Sequence, residues 1–123
     1  MQLKLLVIRS ANPAQLAQFY TQLGCSFEQH RHGKGPQHYS CQIAQTVLEI
    51  YPLAKGQDAA DPNLRLGFEI EQFELVLEKL IEQGAKLIQT PYESEFGWMG
   101  VVEDFEGRKV ELYKNMSHPE FSV

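Results

Sequence analysis

Two glutamates stand in matching apolar surroundings in the two halves of the chain. Glu49 interrupts TVLEIY (46–51), and Glu111 interrupts KVELY (109–113). Aliphatic and aromatic residues of this kind favour half-buried strands, and side chains alternate between the two faces of a strand. The aliphatic neighbours then pack on one face, and each glutamate points to the other. Two carboxylates on such a surface could hold a metal ion weakly, act as general bases or pair with a buried cation.

The elements around Glu49 have the order β-α-β-β-β. Asn12 is a good helix cap, Pro13 suits the first helical position, and Gly24 suits the left-handed residue that ends a helix. Apolar residues recur at helical spacing between them. The expected strands of this half are 3–9, 25–32, 37–44 and 45–51, the middle pair being joined by the turn GKGP.

The same order of elements restarts after a polar segment. The segment EQFELVLEKLIEQG (71–84) predicts an amphipathic helix that ends at Gly84, with Phe73, Val76, Leu77, Leu80 and Ile81 facing inward. The expected strands of this half are 64–70, 85–92, 97–104 and 108–114. Gly24 and Gly84 are 60 positions apart, and Glu49 and Glu111 are 62 apart, which indicates an internal repeat.

The repeat predicts an α+β fold in one domain. Its parts are module one (1–52), a linker (53–63), module two (64–115) and a C-terminal tail (116–123) that contains His118. Each β-α-β-β-β module covers one sheet face with its helix and leaves the other face open. Two such modules would form a curled mixed sheet around a cleft, with both glutamates pointing into it.

Several short motifs recur in the order that one protein superfamily uses. They are FYTQLG (19–24), EQGAKL (82–87), the turn EDFEGRKVEL (103–112) and the paired glutamates. The chain therefore resembles the vicinal oxygen chelate superfamily of glyoxalase I, bleomycin-resistance proteins, fosfomycin-resistance proteins and extradiol dioxygenases. The resemblance covers residues 3 to 114. The last turn of the family usually contains Asp-Pro, and Phe105 stands here in place of the proline.

The resemblance also implies positions for metal ligands. The metal enzymes of this superfamily take one His or Gln from the first strand of each module and one Glu from the last strand. The glutamates correspond to Glu49 and Glu111, but the first-strand positions fall at Leu5 and Arg65. Leucine has no lone pair to donate, and a guanidinium stays protonated and repels a cation. Half of the implied metal site is therefore missing.

Arg65 suggests an explanation for the two carboxylates. Its positive charge could take the place of the metal and bridge Glu49, Glu111 or both, because buried charges need partners and the guanidinium fork suits carboxylates. In a functional version, Arg65 and a free glutamate oxygen meet a polar ligand. In a structural version, the ion pair only holds the modules together. The residue types leave both versions open.

Other chemistry-bearing residues lie on the predicted hairpins. His30, His32 and His38 could form a metal site, but ordinary exposed imidazoles explain them better, since no acidic residue has a convincing spacing. The loop TPYESEFGW (90–98) carries Tyr92, Phe96 and Trp98, which could line a ligand cleft or pack in a core or dimer interface.

Composition excludes several partners. The chain has 123 residues, a net charge of −5 and no cluster of Lys and Arg, so a nucleic-acid surface is not expected. No apolar run is long enough for a membrane span. Cys25 and Cys41 are too few for a disulfide framework and predict reduced thiols in a cytoplasmic protein.

These observations predict a metal-independent small-molecule-binding protein of the glyoxalase/bleomycin-resistance type, with no cofactor and no metal. The alternative is a lyase or dioxygenase-like enzyme with an altered centre, in which Glu111 or Glu49 is the general base. The resemblance implies a homodimer, since small members of the superfamily commonly pair. The expected ligand-binding residues are Leu5, Arg9, Tyr51, Arg65, Trp98 and Tyr113.

Overall fold

A computed structural model describes residues 1–116. The chain divides into two compact units, and the division falls after Asp61, inside the segment predicted to be a linker. The predicted C-terminal tail, with His118, lies outside the described residues from position 117 onward. Each unit has its own sheet and its own helix.

The first unit contains one helix and four strands. Strand β1 is paired in parallel with β4, and the β4–β3 and β3–β2 pairs are antiparallel, which gives the sheet order β1-β4-β3-β2. Strand β2 is shorter than the predicted 25–32. The elements are β1 (Leu5–Ser10), α1 (Pro13–Gln22), β2 (Glu28–His30), β3 (His38–Ile43) and β4 (Thr46–Pro52).

The second unit repeats this topology. Strand β5 is parallel to β8, and the remaining pairs are antiparallel, so the order is β5-β8-β7-β6. The prediction of an α+β fold built from two β-α-β-β-β modules is therefore confirmed. The elements are β5 (Leu66–Ile70), α2 (Phe73–Glu82), β6 (Leu87–Ser94), β7 (Gly97–Glu103) and β8 (Lys109–Lys114).

The two helices end alike but begin differently. Asn12 caps α1 as predicted, since its side chain accepts a hydrogen bond from the backbone N–H of Gln15 at 3.2 Å. Helix α2 has Gln72 at this position, with φ of 51° and no hydrogen bond from its side chain. Gly24 and Gly84 follow the two helices with φ of 118° and 96°, a region that favours glycine.

Alternation along the central strands separates the core from the open face. Leu48 and Ile50 of β4 are buried on the side that carries α1, and Val110 and Leu112 of β8 are buried on the side that carries α2. The large fully buried residues contributed by the helices are Leu16, Phe19, Tyr20, Phe73 and Leu80. Glu49 and Glu111 lie between these aliphatic pairs in sequence, so their side chains occupy the opposite faces.

A buried ion pair closes the turn between β7 and β8. Arg108 is 1% exposed and Asp104 is 4% exposed, and Arg108 Nη1 lies 3.3 Å from Asp104 Oδ2. Asp104 Oδ1 also accepts hydrogen bonds from the backbone N–H groups of Glu106, at 2.8 Å, and Arg108, at 3.1 Å. One carboxylate thus neutralises a buried guanidinium and fixes the backbone that leads into the strand of Glu111.

We expect Asp104→Ala to lower the free energy of unfolding by about 3–5 kcal/mol, because it leaves the buried Arg108 without its carboxylate. Urea denaturation at neutral pH measures this change. Asp58→Ala, which removes an exposed carboxylate, is the matched control and should change stability by less than about 0.5 kcal/mol. Equal effects of the two substitutions would contradict the structural role of Asp104.

Candidate functional site

Glu111 lies at the centre of the open face of the second sheet. In register it is paired with Gly67 of β5 on one side and Val101 of β7 on the other. Tyr113 follows two residues later on β8 and therefore shares its face. Arg65 immediately precedes β5 and reaches the same place.

Both oxygens of the Glu111 carboxylate have partners. The Tyr113 hydroxyl donates a short hydrogen bond to Oε1, and Arg65 Nε donates to Oε2 at 2.5 Å. The Tyr113 hydrogen bond and then Arg65 hold the pKa of Glu111 below its usual range. The same hydrogen bond raises the pKa of the Tyr113 hydroxyl. At neutral pH this trio is therefore an ionised carboxylate held between a neutral phenol and a guanidinium.

A cavity of about 690 Å³ lies over this trio, within the range typical of ligand sites. The side chain of Arg65 is 50% exposed, and its Nη groups make no hydrogen bond within residues 1–116. The lining combines charged, aromatic and aliphatic groups. It consists of Arg65, Ile88, Gln89, Tyr92, Glu93, Ser94, Glu95, Phe96, Met99, Val101, Lys109, Glu111 and Tyr113.

The hairpin between β6 and β7 carries two exposed aromatic rings to the cavity. Ser94 Oγ accepts a hydrogen bond from the backbone N–H of Phe96 at 3.1 Å and donates one to the carbonyl of Gly97 at 2.7 Å. These bonds close the turn under Phe96, which is 75% exposed; Tyr92 is 46% exposed. Apolar rings that face solvent beside a polar cavity suit contact with a ligand.

Trp98 does not line this cavity. Its neighbour Met99 lies on the face of Glu111, so alternation places Trp98 on the face that carries α2. The sequence suggested Trp98 for a ligand cleft as an aromatic of the loop TPYESEFGW, whereas here it lies in β7, where alternation decides its face. A shift by one residue exchanges the two faces of a strand.

Glu49 occupies the corresponding position in the first unit. In register it is paired with Val7 of β1 and Ser40 of β3. The carboxylate has a different neighbour from that of Glu111, since His38 Nε2 lies 3.6 Å from Glu49 Oε2. This distance is too long for a direct hydrogen bond but short enough for electrostatic attraction if the imidazole is protonated.

An aromatic row crosses this face beside Glu49. The rings of His38 and Tyr51 are stacked with centroids 4.3 Å apart, and the guanidinium carbon of Arg9 lies 4.9 Å from the centroid of Tyr51. The His30 and His32 rings lie 5.9 and 5.2 Å from that of His38. The sequence predicted Tyr51 and Arg9 for a ligand surface, and the structure brings them together.

His38 differs from the exposed imidazole that its sequence context predicted. It is 1% exposed, and its Nε2 has no hydrogen-bond partner within the described chain. The polar hairpin sequence gave no sign of this burial, which depends on the ring of Tyr51 across the sheet. Within residues 1–116, no group of three His, Cys, Asp or Glu side chains is placed to hold a metal ion.

The first strands also do not fit the metal site that the resemblance implies. Leu5 is 51% exposed and lies beside Val47, and the residues directly beside the two glutamates are Val7 and Gly67. None of these residues offers a lone pair from its side chain. Arg65 already occupies one oxygen of Glu111, so the donor set around each glutamate does not resemble a metal centre.

The two cysteines are free thiols in the first unit. Cys41 is buried, and burial followed by the neighbouring Cys41 thiol raises the pKa of Cys25. A raised pKa keeps Cys25 protonated and weakly nucleophilic. Neither thiol is part of the surfaces around Glu49 and Glu111.

Neither helix within residues 1–116 is long and apolar enough to cross a membrane. No protein-family model matches the sequence, and no curated protein matches it in sequence comparison. The comparison of this chain with known proteins therefore rests on solved structures.

Many solved structures resemble the chain over most of its length, and three of them are described here. TnmS3, an antibiotic binding protein from Streptomyces sp. CB03234, is 16% identical with a TM-score of 0.72, and the match covers 93% of this chain and 95% of that one. A glyoxalase/bleomycin resistance protein/dioxygenase family enzyme from Burkholderia phytofirmans PsJN is 17% identical with a TM-score of 0.71, and the match covers 93% and 98%.

A glyoxalase-related enzyme from Fulvimarina pelagi is 17% identical with a TM-score of 0.70, and the match covers 94% of this chain and 88% of that one. These identities are too low to transfer an activity, because the same fold serves different functions. The duplicated β-α-β-β-β topology and these matches agree with the resemblance seen in the sequence. The chain has the fold of the glyoxalase/bleomycin resistance/dioxygenase proteins, the fold of the vicinal oxygen chelate superfamily.

Proposed function

We propose that the protein is a metal-independent small-molecule-binding protein of the glyoxalase/bleomycin-resistance type. The proposal rests on the cavity over Glu111. The guanidinium of Arg65 lies at the bottom of this cavity, and Arg65 is the residue at which the resemblance implies a metal ligand. Arg65 supplies the fixed positive charge of the site, and Glu111 and Tyr113 hold Arg65 in place. TnmS3, which has the same fold, is described as an antibiotic binding protein, and this supports a small-molecule ligand.

The lining defines the chemistry of the ligand. The exposed Nη groups of Arg65 suit a carboxylate, phenolate or carbonyl oxygen, since guanidinium donors bind such acceptors in pairs. Tyr92 and Phe96 at the hairpin suit a planar apolar ring. The expected ligand is therefore a planar, mainly aromatic molecule with at least one acidic or carbonyl oxygen.

The open face of the first unit is proposed as a second recognition surface. Arg9 and Tyr51 already form a cation–π contact, and the exposed Leu5 adds apolar area to the same face. Glu49 and His38 supply polar groups beside them. The homodimer and the cytoplasmic location predicted from the sequence belong to this proposal and stay predictions.

The electrostatics of Glu111 favour binding over the alternative enzyme. A general base at neutral pH works best when its pKa lies near the pH of the reaction. Arg65 and Tyr113 instead lower the pKa of Glu111 and occupy both of its oxygens. Glu111 is thus better suited to orient Arg65 than to remove a proton from a substrate.

We expect Arg65→Met to weaken ligand binding by roughly 10- to 100-fold, the value of one lost charge-assisted hydrogen bond. A thermal-shift screen of planar aromatic acids and phenols on the wild-type chain identifies the probe, and calorimetric titration then measures Kd. Lys86→Met removes an exposed cation that does not line the cavity and is the matched control, with Kd unchanged within about two-fold. Equal affinities of the wild type and Arg65→Met would reject the proposed site.

A separate measurement tests whether ligand binding requires a metal ion. The Kd of the same probe is determined after dialysis against a chelator and again with added Zn²⁺, Ni²⁺, Fe²⁺, Mn²⁺ or Mg²⁺. We expect equal values, because Arg65 supplies the positive charge in the site. Binding that appears with one metal and disappears with chelator would contradict this part of the proposal.

The acid sensitivity of the fold provides a further prediction. The folded-state pKa of Glu111 lies below the ordinary value of 4.5, so its pairing stabilises the fold fully above that pH. This contribution is lost as pH falls through the lowered folded-state pKa. We therefore expect wild type to exceed Glu111→Gln in stability at pH 7, by up to about 1 kcal/mol since Arg65 is half exposed, and the difference to shrink as the pH falls below 4.5.

Urea denaturation at several pH values measures this difference. A difference for Glu111→Gln that stays constant from pH 7 to pH 2 would mean that the ionised carboxylate is not what the substitution removes.

A further inference from the structure

A second concave surface of the second unit lies on the other side of its sheet. It is a groove of about 390 Å³ between α2 and the β6–β7 hairpin, lined almost entirely by apolar atoms. Ile81 was predicted to face inward, but it is 42% exposed here, and Trp98 is 36% exposed. Ile81 lies at the margin of the apolar stripe of α2, where the sheet no longer covers it. The lining is Phe73, Glu74, Leu77, Glu78, Ile81, Glu82, Pro91 and Trp98.

A row of carboxylates follows one rim of this groove. Glu74, Glu78 and Glu82 are spaced four residues apart on α2, so they lie one above the other on one helix face. Glu74 is paired with Lys114, whose Nζ lies 2.8 Å from its Oε1. Glu78 and Glu82 make no ion pair within residues 1–116. Like charges at this spacing destabilise a helix slightly, and an ion pair relieves this repulsion at Glu74 only.

We propose that this groove binds an organic cation with an apolar body, such as a lipophilic amine. The volume lies within the range of small-molecule sites. Leu77, Ile81 and Trp98 supply apolar contact for the body, and the ring of Trp98 also attracts a cation. Glu78 and Glu82 supply the negative charge for the ammonium group. This site is independent of the one proposed at Arg65, because the two lie on opposite faces of one sheet.

A neighbouring hollow extends the same surface. It has a volume of about 550 Å³ and shares Glu74 and Trp98 with the groove. Trp98 therefore stands between the two hollows, and a ligand longer than the groove would continue past its ring. In this second hollow the carboxylate of Glu74 is already paired with Lys114, so the ammonium group belongs at the Glu78 and Glu82 end.

Trp98 is the single tryptophan of the chain and reports directly on the groove. Three probes with one phenylbutyl body are titrated against its fluorescence: 4-phenylbutylamine, 4-phenylbutanol and 4-phenylbutyrate. We expect the amine to bind roughly 3- to 10-fold more tightly than the alcohol, as expected for partly exposed ion pairs, and the acid to bind most weakly. Added salt should weaken binding of the amine and leave that of the alcohol nearly unchanged.

Two substitutions separate the charge from the apolar contact. The double variant Glu78→Gln/Glu82→Gln should lower the affinity for the amine to that for the alcohol, with the alcohol unaffected. Ile81→Ser should weaken both probes. The double variant Glu28→Gln/Asp58→Asn changes the net charge equally at exposed positions of the first unit and should leave both affinities unchanged.

Several results would overturn the proposal. Equal binding of amine, alcohol and acid would show that the carboxylates do not select a cation. No change in Trp98 fluorescence with any probe at millimolar concentration would show that the groove is not available. A fluorescence change that follows protein concentration rather than probe concentration would assign the surface to a second copy of the chain.

Discussion

A carboxylate on a half-buried sheet face needs a positive charge or hydrogen-bond donors nearby, and this requirement organises the open face of each unit. Glu111 meets it with Arg65 and the Tyr113 hydroxyl, which together occupy both of its oxygens. The arrangement keeps Glu111 ionised and holds the guanidinium of Arg65 at the floor of the cavity. In the proposed function, this side-chain charge attracts an acidic group of the ligand without recruiting an ion.

The glutamates of the two units have different charged neighbours, although the strands of the units have the same order. Glu49 has the buried His38 at 3.6 Å in place of an arginine, and that imidazole is fixed by its stack on Tyr51. The guanidinium of Arg9 lies over the ring of Tyr51 rather than beside the carboxylate of Glu49. The repeat therefore conserves the backbone and the position of the glutamate, while the neighbouring strand decides which charge the glutamate contacts.

Local patterns in the sequence were sufficient to predict the helices and strands and the sheet face on which each glutamate lies. The cap at Asn12, the glycines after both helices and the alternation around Glu49 and Glu111 each depend on near neighbours along the chain. The burial of His38 and Arg108 could not be predicted in this way, since each depends on a partner whose position is set by the fold. The face of Trp98 could not be predicted for a related reason: β7 has buried residues on both faces, so its hydrophobic pattern does not fix the register.

The second sheet consequently presents two surfaces that differ in their charged groups. On the face of Glu111, the carboxylate is already neutralised by Arg65, and the guanidinium is the group left exposed to a ligand. On the face of α2, an apolar groove is bordered by Glu78 and Glu82, which make no ion pair within the described chain. Trp98 and Met99 are adjacent in sequence yet belong to different surfaces, so a single strand separates the site proposed for acidic oxygens from the one proposed for amines. A seven-residue strand can carry both because its side chains alternate while its backbone remains bonded to β6 and β8.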